Sequence, residues 1–160
     1  MQRSKGDKKG EAVLDMYIYV LKLVKDDDFR YYVGKTKNLY ERIKNHYNRN
    51  RKAADLTKSD GYRVLSVERL YKIDLSNSSE PIDACTSKIE SFVAQRCINE
   101  WGYERVRGGC FLDTWGDDTE VPQLFEYDYQ DFIVEDQIEA AHINQILGQK
   151  RPSLSINLFK

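Results

Sequence analysis

The stretch MYIYVLKLVKDDDFRYYVGK, residues Met16–Lys35, decides how the rest of this chain can fold. Met16–Val24 is rich in β-branched and aromatic residues that partly alternate with polar ones, which predicts a strand. Lys25–Asp28 is a polar turn, and Phe29–Lys35 predicts a second strand. Because the connection is so short, we expect the two strands to pair as an antiparallel β-hairpin.

The second strand carries two adjacent tyrosines, Tyr31 and Tyr32, whose side chains must point to opposite faces of a sheet. Tyr19 of the first strand can lie beside one of them on a shared face, while the other belongs to packing. Gly34 follows, and with the Lys35-Thr36 turn it is expected to swing the chain into a helix.

That helix is predicted from Asn38 to about Asn50. Asn38 with Glu41 three residues later is a capping-box pattern, with asparagine in place of the usual serine or threonine. The apolar stripe of the helix consists of Leu39, Ile43 and Tyr47. Arg42 and His46 lie one turn apart on the adjacent face, so their side chains point in one direction.

The rest of the chain supplies one further strand and two further helices. The strand is predicted over Gly61–Asp74, and the helices over about Asp83–Trp101 and Glu135–Leu147. Gly102–Asp113 is expected to be irregular because it contains several glycines. The predicted fold class is α/β of the α+β type: a small three-stranded antiparallel sheet with a β-hairpin, flanked by helices, plus an acidic C-terminal extension.

The chain of 160 residues is expected to form one domain of residues 14–112, preceded by a disordered basic leader, 1–13, and followed by the extension, 113–160. No apolar run approaches the roughly 20 residues that cross a bilayer, and we do not expect the polar N-terminus to act as a secretory signal. The three cysteines, Cys85, Cys97 and Cys110, lack CxxC spacing. We therefore expect neither a zinc site nor disulfides, and an intracellular, reducing compartment, cytoplasmic or nuclear.

Charge is divided unevenly between the two halves of the chain. Residues 1–80 carry 18 Lys and Arg against 12 Asp and Glu, whereas residues 81–160 carry 7 against 14. The run 35–52 alone holds seven basic residues and one glutamate, which suits a surface that follows a nucleic-acid backbone. Tyrosine, arginine, histidine and a later carboxylate together could cut a phosphodiester, because they supply proton transfer, charge neutralisation and a cation ligand.

Five motif elements occur here in the order that is typical of the GIY-YIG endonucleases, and the chain resembles that family over roughly Met16–Phe111. They are "YIY" (Tyr17–Tyr19), "YVG" (Tyr32–Gly34), Arg42 ten residues after Tyr32 with His46 one turn later, Glu90 in a later helix, and Gly102 followed by Val106-Arg107-Gly108-Gly109. The chain departs from the pattern at Tyr17, which replaces a glycine, at Val33, which replaces an isoleucine, and at Glu104, near the place where some members carry an asparagine.

The resemblance implies a role for each of these residues. Glu90 would bind one Mg²⁺ or Mn²⁺, and Arg42 would stabilise the charge on the phosphate. Tyr19 and Tyr32 would flank the attacking water, one of them as general base. His46 would orient a tyrosine or the water, or relay a proton. The implied reaction is metal-assisted hydrolysis of DNA, double-stranded or branched.

Seven basic residues are expected to contact the nucleic acid: Lys35, Lys37, Lys44, Arg49, Arg51, Lys52 and Arg107. For Arg107 a second role, bracing its own loop, is equally consistent with the sequence. His142 lies in an acidic helix without a partner motif and is expected to be structural.

Three functions stay open from the sequence. The first is the DNA endonuclease. The second is a DNA- or RNA-binding module on the same fold with weak or no activity. The third is a protein–protein adaptor whose partner surface consists of Phe125, Tyr127, Tyr129 and Phe132. The extension would either fold over the basic face and compete with DNA or, as we prefer, complete the core through its aromatic residues.

Overall fold

The computed structural model of the protein describes residues 15–76, 82–113, 115 and 128–149. The predicted leader, the chain end after residue 149 and most of the acidic stretch after Asp113, including Phe125 and Tyr127, lie outside the described residues.

The described residues form an α+β fold around one mixed sheet of five strands. The strands are β1 (Tyr17–Lys25), β2 (Asp28–Thr36), β3 (Arg63–Ile73), β4 (Val106–Gly108) and β5 (Ile133–Glu135), in the spatial order β4-β2-β1-β3-β5. All neighbours are antiparallel except β2 and β4, which run parallel. The predicted class and hairpin are confirmed.

The predicted three-stranded, wholly antiparallel sheet is wrong, because two short strands extend it at both edges. β4 lies in the stretch predicted to be irregular, and β5 directly precedes the last helix. Each is three residues long, so neither is long enough to show an alternating pattern that the sequence could reveal.

Three α-helices in the described part of the chain cover the two faces of the sheet: α1 (Leu39–Tyr47), α2 (Ile82–Trp101) and α3 (Gln137–Gln149). Apolar residues of α1 and α3 pack against one face, and those of α2 pack against the other. No helix among the described residues has both the length and the apolar composition needed to cross a membrane.

The ends of α1 and α3 differ from the prediction. No side chain caps the N-terminus of α1, so the predicted capping box does not form. Instead the backbone N–H of Asn38 donates to Oγ1 of Thr36, which is 3.0 Å away. α1 ends at Tyr47 rather than near Asn50, and α3 begins at Gln137 because the residues before it pair with β3.

The described part of the C-terminal extension is built into the domain. β5 extends the sheet, and α3 packs on β3. The side-chain amide of Asn144 exchanges two hydrogen bonds with the backbone of Val67, where the pairing of β1 and β3 shifts register. Tyr129 is buried and Phe132 partly buried against the core, so these two aromatic residues of the adaptor hypothesis face inward. Inward packing of Tyr129 and Phe132 is the arrangement expected if aromatic residues of the extension complete the core.

Candidate active site

The hairpin places two buried tyrosines on the sheet face that α1 covers. Tyr19 of β1 is opposite Gly34, and Tyr32 of β2 is opposite Leu21, so the two tyrosines are diagonal neighbours on one face. Tyr31 points to the other face, where its ring stacks on Trp101 with the centroids 3.9 Å apart. Of the two adjacent tyrosines, Tyr31 thus packs against α2, whereas Tyr32 lies on the face that α1 covers.

Gly34 makes room for the ring of Tyr19. A Cβ atom at Gly34 would lie 2.3 Å from Oη of Tyr19 and 2.5 Å from its Cζ, so the ring crosses the next strand where no side chain exists. The predicted turn at Lys35-Thr36 is wrong, since β2 continues through Thr36. Gly34 allows the ring of Tyr19 to approach the backbone of β2 closely, and it does not reverse the chain.

His46, in the last turn of α1, lies fully buried between the two tyrosines. Its Nε2 is 2.8 Å from Oη of Tyr19, and its ring centroid is 5.6 Å from that of Tyr19 and 5.7 Å from that of Tyr32. Burial, with the charges of Arg42 and Lys58, lowers the pKa of His46 to about 3. The imidazole is therefore neutral across the physiological pH range.

Arg42 lies one turn before His46 and is half-buried, with Nη1 donating to the carbonyl of Lys52 at 2.6 Å. Burial raises the pKa of both Tyr19 and Tyr32, and the charge of Arg42 opposes that rise at each hydroxyl. The guanidinium thus favours the ionised form of either phenol, as is needed if one of them accepts a proton.

Glu90 extends from α2 and is half-buried. Burial raises the pKa of its carboxyl to about 7, against the opposing charge of Lys35. The charge of Glu90 in turn raises the pKa of both Tyr32 and Tyr19, so the carboxylate acts on both phenols. Nζ of Lys35 donates to Oγ of Ser87 at 2.8 Å, which ties the end of β2 to α2 one turn before Glu90.

Glu90 is the residue that could hold a divalent cation here. Among residues 15–76, 82–113, 115 and 128–149, no group of three or more His, Cys, Asp or Glu has a geometry that could hold a metal ion. Mg²⁺ does not need such a cage, because it usually keeps several waters and binds one or two carboxylates together with substrate phosphates. The raised pKa of Glu90 indicates that nearby positive charge does not fully balance its partly buried carboxylate, and a divalent cation would supply the missing charge. The residues present fit a one-carboxylate site.

Most of the residues predicted to contact nucleic acid have side chains that reach solvent. Exposed or half-exposed basic side chains follow α1 and the loop after it: Lys37, Lys44, Arg49, Arg51 and Lys52. The guanidinium of Arg49 also donates to the carbonyls of Tyr62 and Lys58. Lys35 is half-exposed at the end of β2, where its Nζ donates to Oγ of Ser87 and its charge opposes the rise in the pKa of Glu90.

The predicted phosphate contact of Arg107 is corrected by the structure. The residue is 0% exposed, and its guanidinium donates to the backbone carbonyls of Asp113, Tyr103 and Val106. Arg107 therefore braces the loop after β4, the other role that the sequence allowed. His142 lies exposed on α3 beside Glu139, its Nδ1 3.8 Å from the carboxylate.

Two residues of the site have no signal in the sequence. The backbone N–H of Ala54 donates to Nδ1 of His46 at 3.3 Å, and the fully buried Thr57 lies beside the same nitrogen. Both belong to the short loop before β3, which no motif or periodicity marks as functional.

Comparison with known families finds that residues 15–84 match the GIY-YIG catalytic domain. The resemblance seen in the sequence motifs is thereby confirmed, and such a domain indicates a nuclease. Searches of the curated proteins and of the solved structures found no match. The matched residues include Tyr19, Tyr32, Arg42 and His46 and end before Glu90, whose assignment rests on its position beside the tyrosines.

Proposed function

We propose that this protein, whose residues 15–84 match the GIY-YIG catalytic domain, is a metal-dependent endonuclease that hydrolyses phosphodiester bonds of DNA. One observation carries the proposal. Two phenols, the Arg42 guanidinium, the His46 imidazole and the Glu90 carboxylate come from the hairpin, α1 and α2. Nε2 of His46 lies 2.8 Å from Oη of Tyr19, and the charges of Arg42 and Glu90 shift the pKa values of both phenols in opposite directions.

Each side chain has a task in the proposed reaction. Arg42 neutralises charge that builds on the scissile phosphate. Tyr19 or Tyr32 accepts the proton of the attacking water, assisted by the charge of Arg42. His46 holds Tyr19 in place through the 2.8 Å contact with its hydroxyl. Glu90 would hold one Mg²⁺ or Mn²⁺, which when bound supplies positive charge to the phosphate and the leaving oxygen.

The proposed substrate is DNA because α1 and the loop after it carry basic side chains that are exposed or half-exposed and close to Arg42 in the chain. Lys37, Arg51 and Lys52 are exposed and available to phosphates. Such contacts position a nucleic acid without reading its sequence, so we expect cutting of double-stranded or branched DNA with affinity that falls steeply as salt rises.

A cleavage assay tests the proposal. Wild type is incubated with supercoiled plasmid and with branched duplexes, with and without Mg²⁺, beside Glu90→Gln and Arg42→Ala. Glu41→Gln is the matched control, since Glu41 is an exposed carboxylate next to Arg42. We expect Mg²⁺-dependent cutting by wild type and Glu41→Gln, and a loss of at least about 10²-fold in the other two variants. Equal cutting by all four proteins, or none by wild type on any substrate, would reject the enzyme.

A binding module without activity is the second candidate, and Tyr17 is the observation that favours it. This tyrosine replaces the first glycine of the family pattern, and it is partly buried against the core cluster on the sheet face that α1 and α3 cover. DNA or RNA binding that survives Glu90→Gln and Arg42→Ala, with no cutting by wild type, would support the module.

A further inference from the structure

The imidazole of His46 has a polar neighbour on each of its two nitrogens, and the neighbours are of different kinds. Nδ1 faces the backbone N–H of Ala54 at 3.3 Å, and Nε2 faces Oη of Tyr19 at 2.8 Å. A backbone N–H can only donate, so Nδ1 must accept and cannot carry a proton.

The hydroxyl of Thr57 does not change this assignment. Its Oγ1 is 3.5 Å from Nδ1, but its single hydrogen is donated to the carbonyl of Ala54, 2.6 Å away. The backbone N–H of Thr57 donates to the same carbonyl at 3.0 Å. Two hydrogen bonds from Thr57 thus close the turn that holds the Ala54 N–H against the ring.

The neutral ring has one proton, and it must reside on Nε2. We propose that the turn of residues 54–57, with Thr57 as a positioning residue, fixes His46 as the Nε2–H tautomer, so that His46 donates a permanent hydrogen bond to Tyr19 and never takes its proton. The hydroxyl hydrogen of Tyr19 then points away from His46. The hydrogen bond that Nε2–H of His46 donates to the Tyr19 oxygen also favours the ionised phenol, as the positive charge of Arg42 does.

This inference concerns the ring itself, and only its catalytic consequence rests on the proposed nuclease function. If His46 took a proton from Tyr19, removing that ability would cost about 10²–10⁴-fold in rate. If His46 only donates, any side chain with a donor at the position of Nε2 should largely replace it. Glutamine has such a donor and cannot accept a proton in this range of pH.

Nitrogen NMR on the full chain tests the tautomer without any substrate. The chain contains two histidines, so the His142→Gln variant leaves His46 as the one imidazole to observe. We expect an unprotonated Nδ1 and a protonated Nε2 throughout about pH 5–8. A protonated Nδ1, or an imidazolium in this range, would overturn the proposal.

Variants of Thr57 test its positioning role by the same signal. Thr57→Ser keeps the hydroxyl and should preserve the tautomer, whereas Thr57→Val, of similar shape, should let a second tautomer or ring orientation appear. If Thr57→Val leaves the His46 spectrum unchanged, Thr57 is not a positioning residue. The spectrum of the His142→Gln variant, in which Thr57 is intact, decides the tautomer even if Thr57→Val fails to fold.

Cleavage by His46→Gln and His46→Leu separates this proposal from the function. We expect His46→Gln to stay within about tenfold of wild type, since one hydrogen bond is perturbed, and His46→Leu to fall further. Equal losses of 10²-fold or more in both variants would overturn the donor role. If wild type cuts no DNA but shows the Nε2–H tautomer, the proposed function fails and the tautomer stands.

Discussion

Gly34→Ala should disturb the site through one added methyl group. The new Cβ would lie 2.3 Å from Oη and 2.5 Å from Cζ of Tyr19, where ordinary contacts begin near 3.4 Å, so the ring must shift by about 1 Å. Overpacking of this kind costs about 1–3 kcal/mol in the free energy of unfolding. At about 2–4 °C per kcal/mol for a chain of this size, the Tm should fall by about 2–12 °C. If the protein is a nuclease, misplacing Tyr19 by about 1 Å should slow it by about 10²-fold.

Thermal unfolding and single-turnover cleavage measure the two effects, and Gly148→Ala is the matched control. A Cβ at Gly148 meets nothing within 4 Å, so that variant should be neutral or slightly stabilising. Gly34→Ala combined with Tyr19→Phe should stay destabilised, because Cζ already blocks the methyl group. A Tm of Gly34→Ala equal to that of Gly148→Ala would refute the argument that Gly34 exists to admit the ring.

Three further predictions concern burial. In metal-free buffer, the free energy of unfolding of Glu90→Gln should rise relative to that of wild type by up to about 3 kcal/mol between about pH 4 and pH 9. The pKa of Glu90 is raised to about 7 in the folded state, so its carboxyl stabilises wild type at low pH and this stabilisation is lost as pH rises through that pKa. Urea unfolding at each pH measures the difference, and a difference that does not change with pH contradicts the prediction. Asn144→Leu leaves two backbone groups of β3 unpaired and should cost about 2–4 kcal/mol, against less than about 0.5 kcal/mol for the exposed Gln145→Leu. Arg107→Lys should lower the Tm without changing the salt dependence of DNA binding, whereas Lys52→Gln should reduce that slope by about one; the opposite pattern would restore Arg107 as a phosphate contact.

The sequence predicts what depends on long periodic runs. β1 and β2 are nine residues each and joined by a short turn, so the hairpin and the opposite faces of Tyr31 and Tyr32 follow from the period of a strand. The four-residue spacing of Arg42 and His46 follows from the period of a helix in the same way.

The sequence does not predict what depends on contacts between distant segments. β4 and β5 exist because longer strands lie beside them, and their own residues show no pattern. Arg42 and Arg107 are the same residue type, yet Arg42 is half-buried and its charge acts on the two tyrosines, whereas Arg107 is fully buried among backbone carbonyls. The partner of Nδ1 of His46 is a backbone N–H, which no side-chain motif can reveal.

The position of a bound cation tests whether Glu90 holds the metal ion in the proposed active site. Crystals of wild type with a DNA duplex and Mn²⁺, at a pH too low for rapid cutting, can be measured at a wavelength where manganese scatters anomalously. We expect an anomalous peak within about 2.5 Å of the Glu90 carboxylate, next to a phosphate, and no such peak in Glu90→Gln. A DNA complex of an active protein whose manganese lies elsewhere, or binds equally in Glu90→Gln, would contradict this expectation.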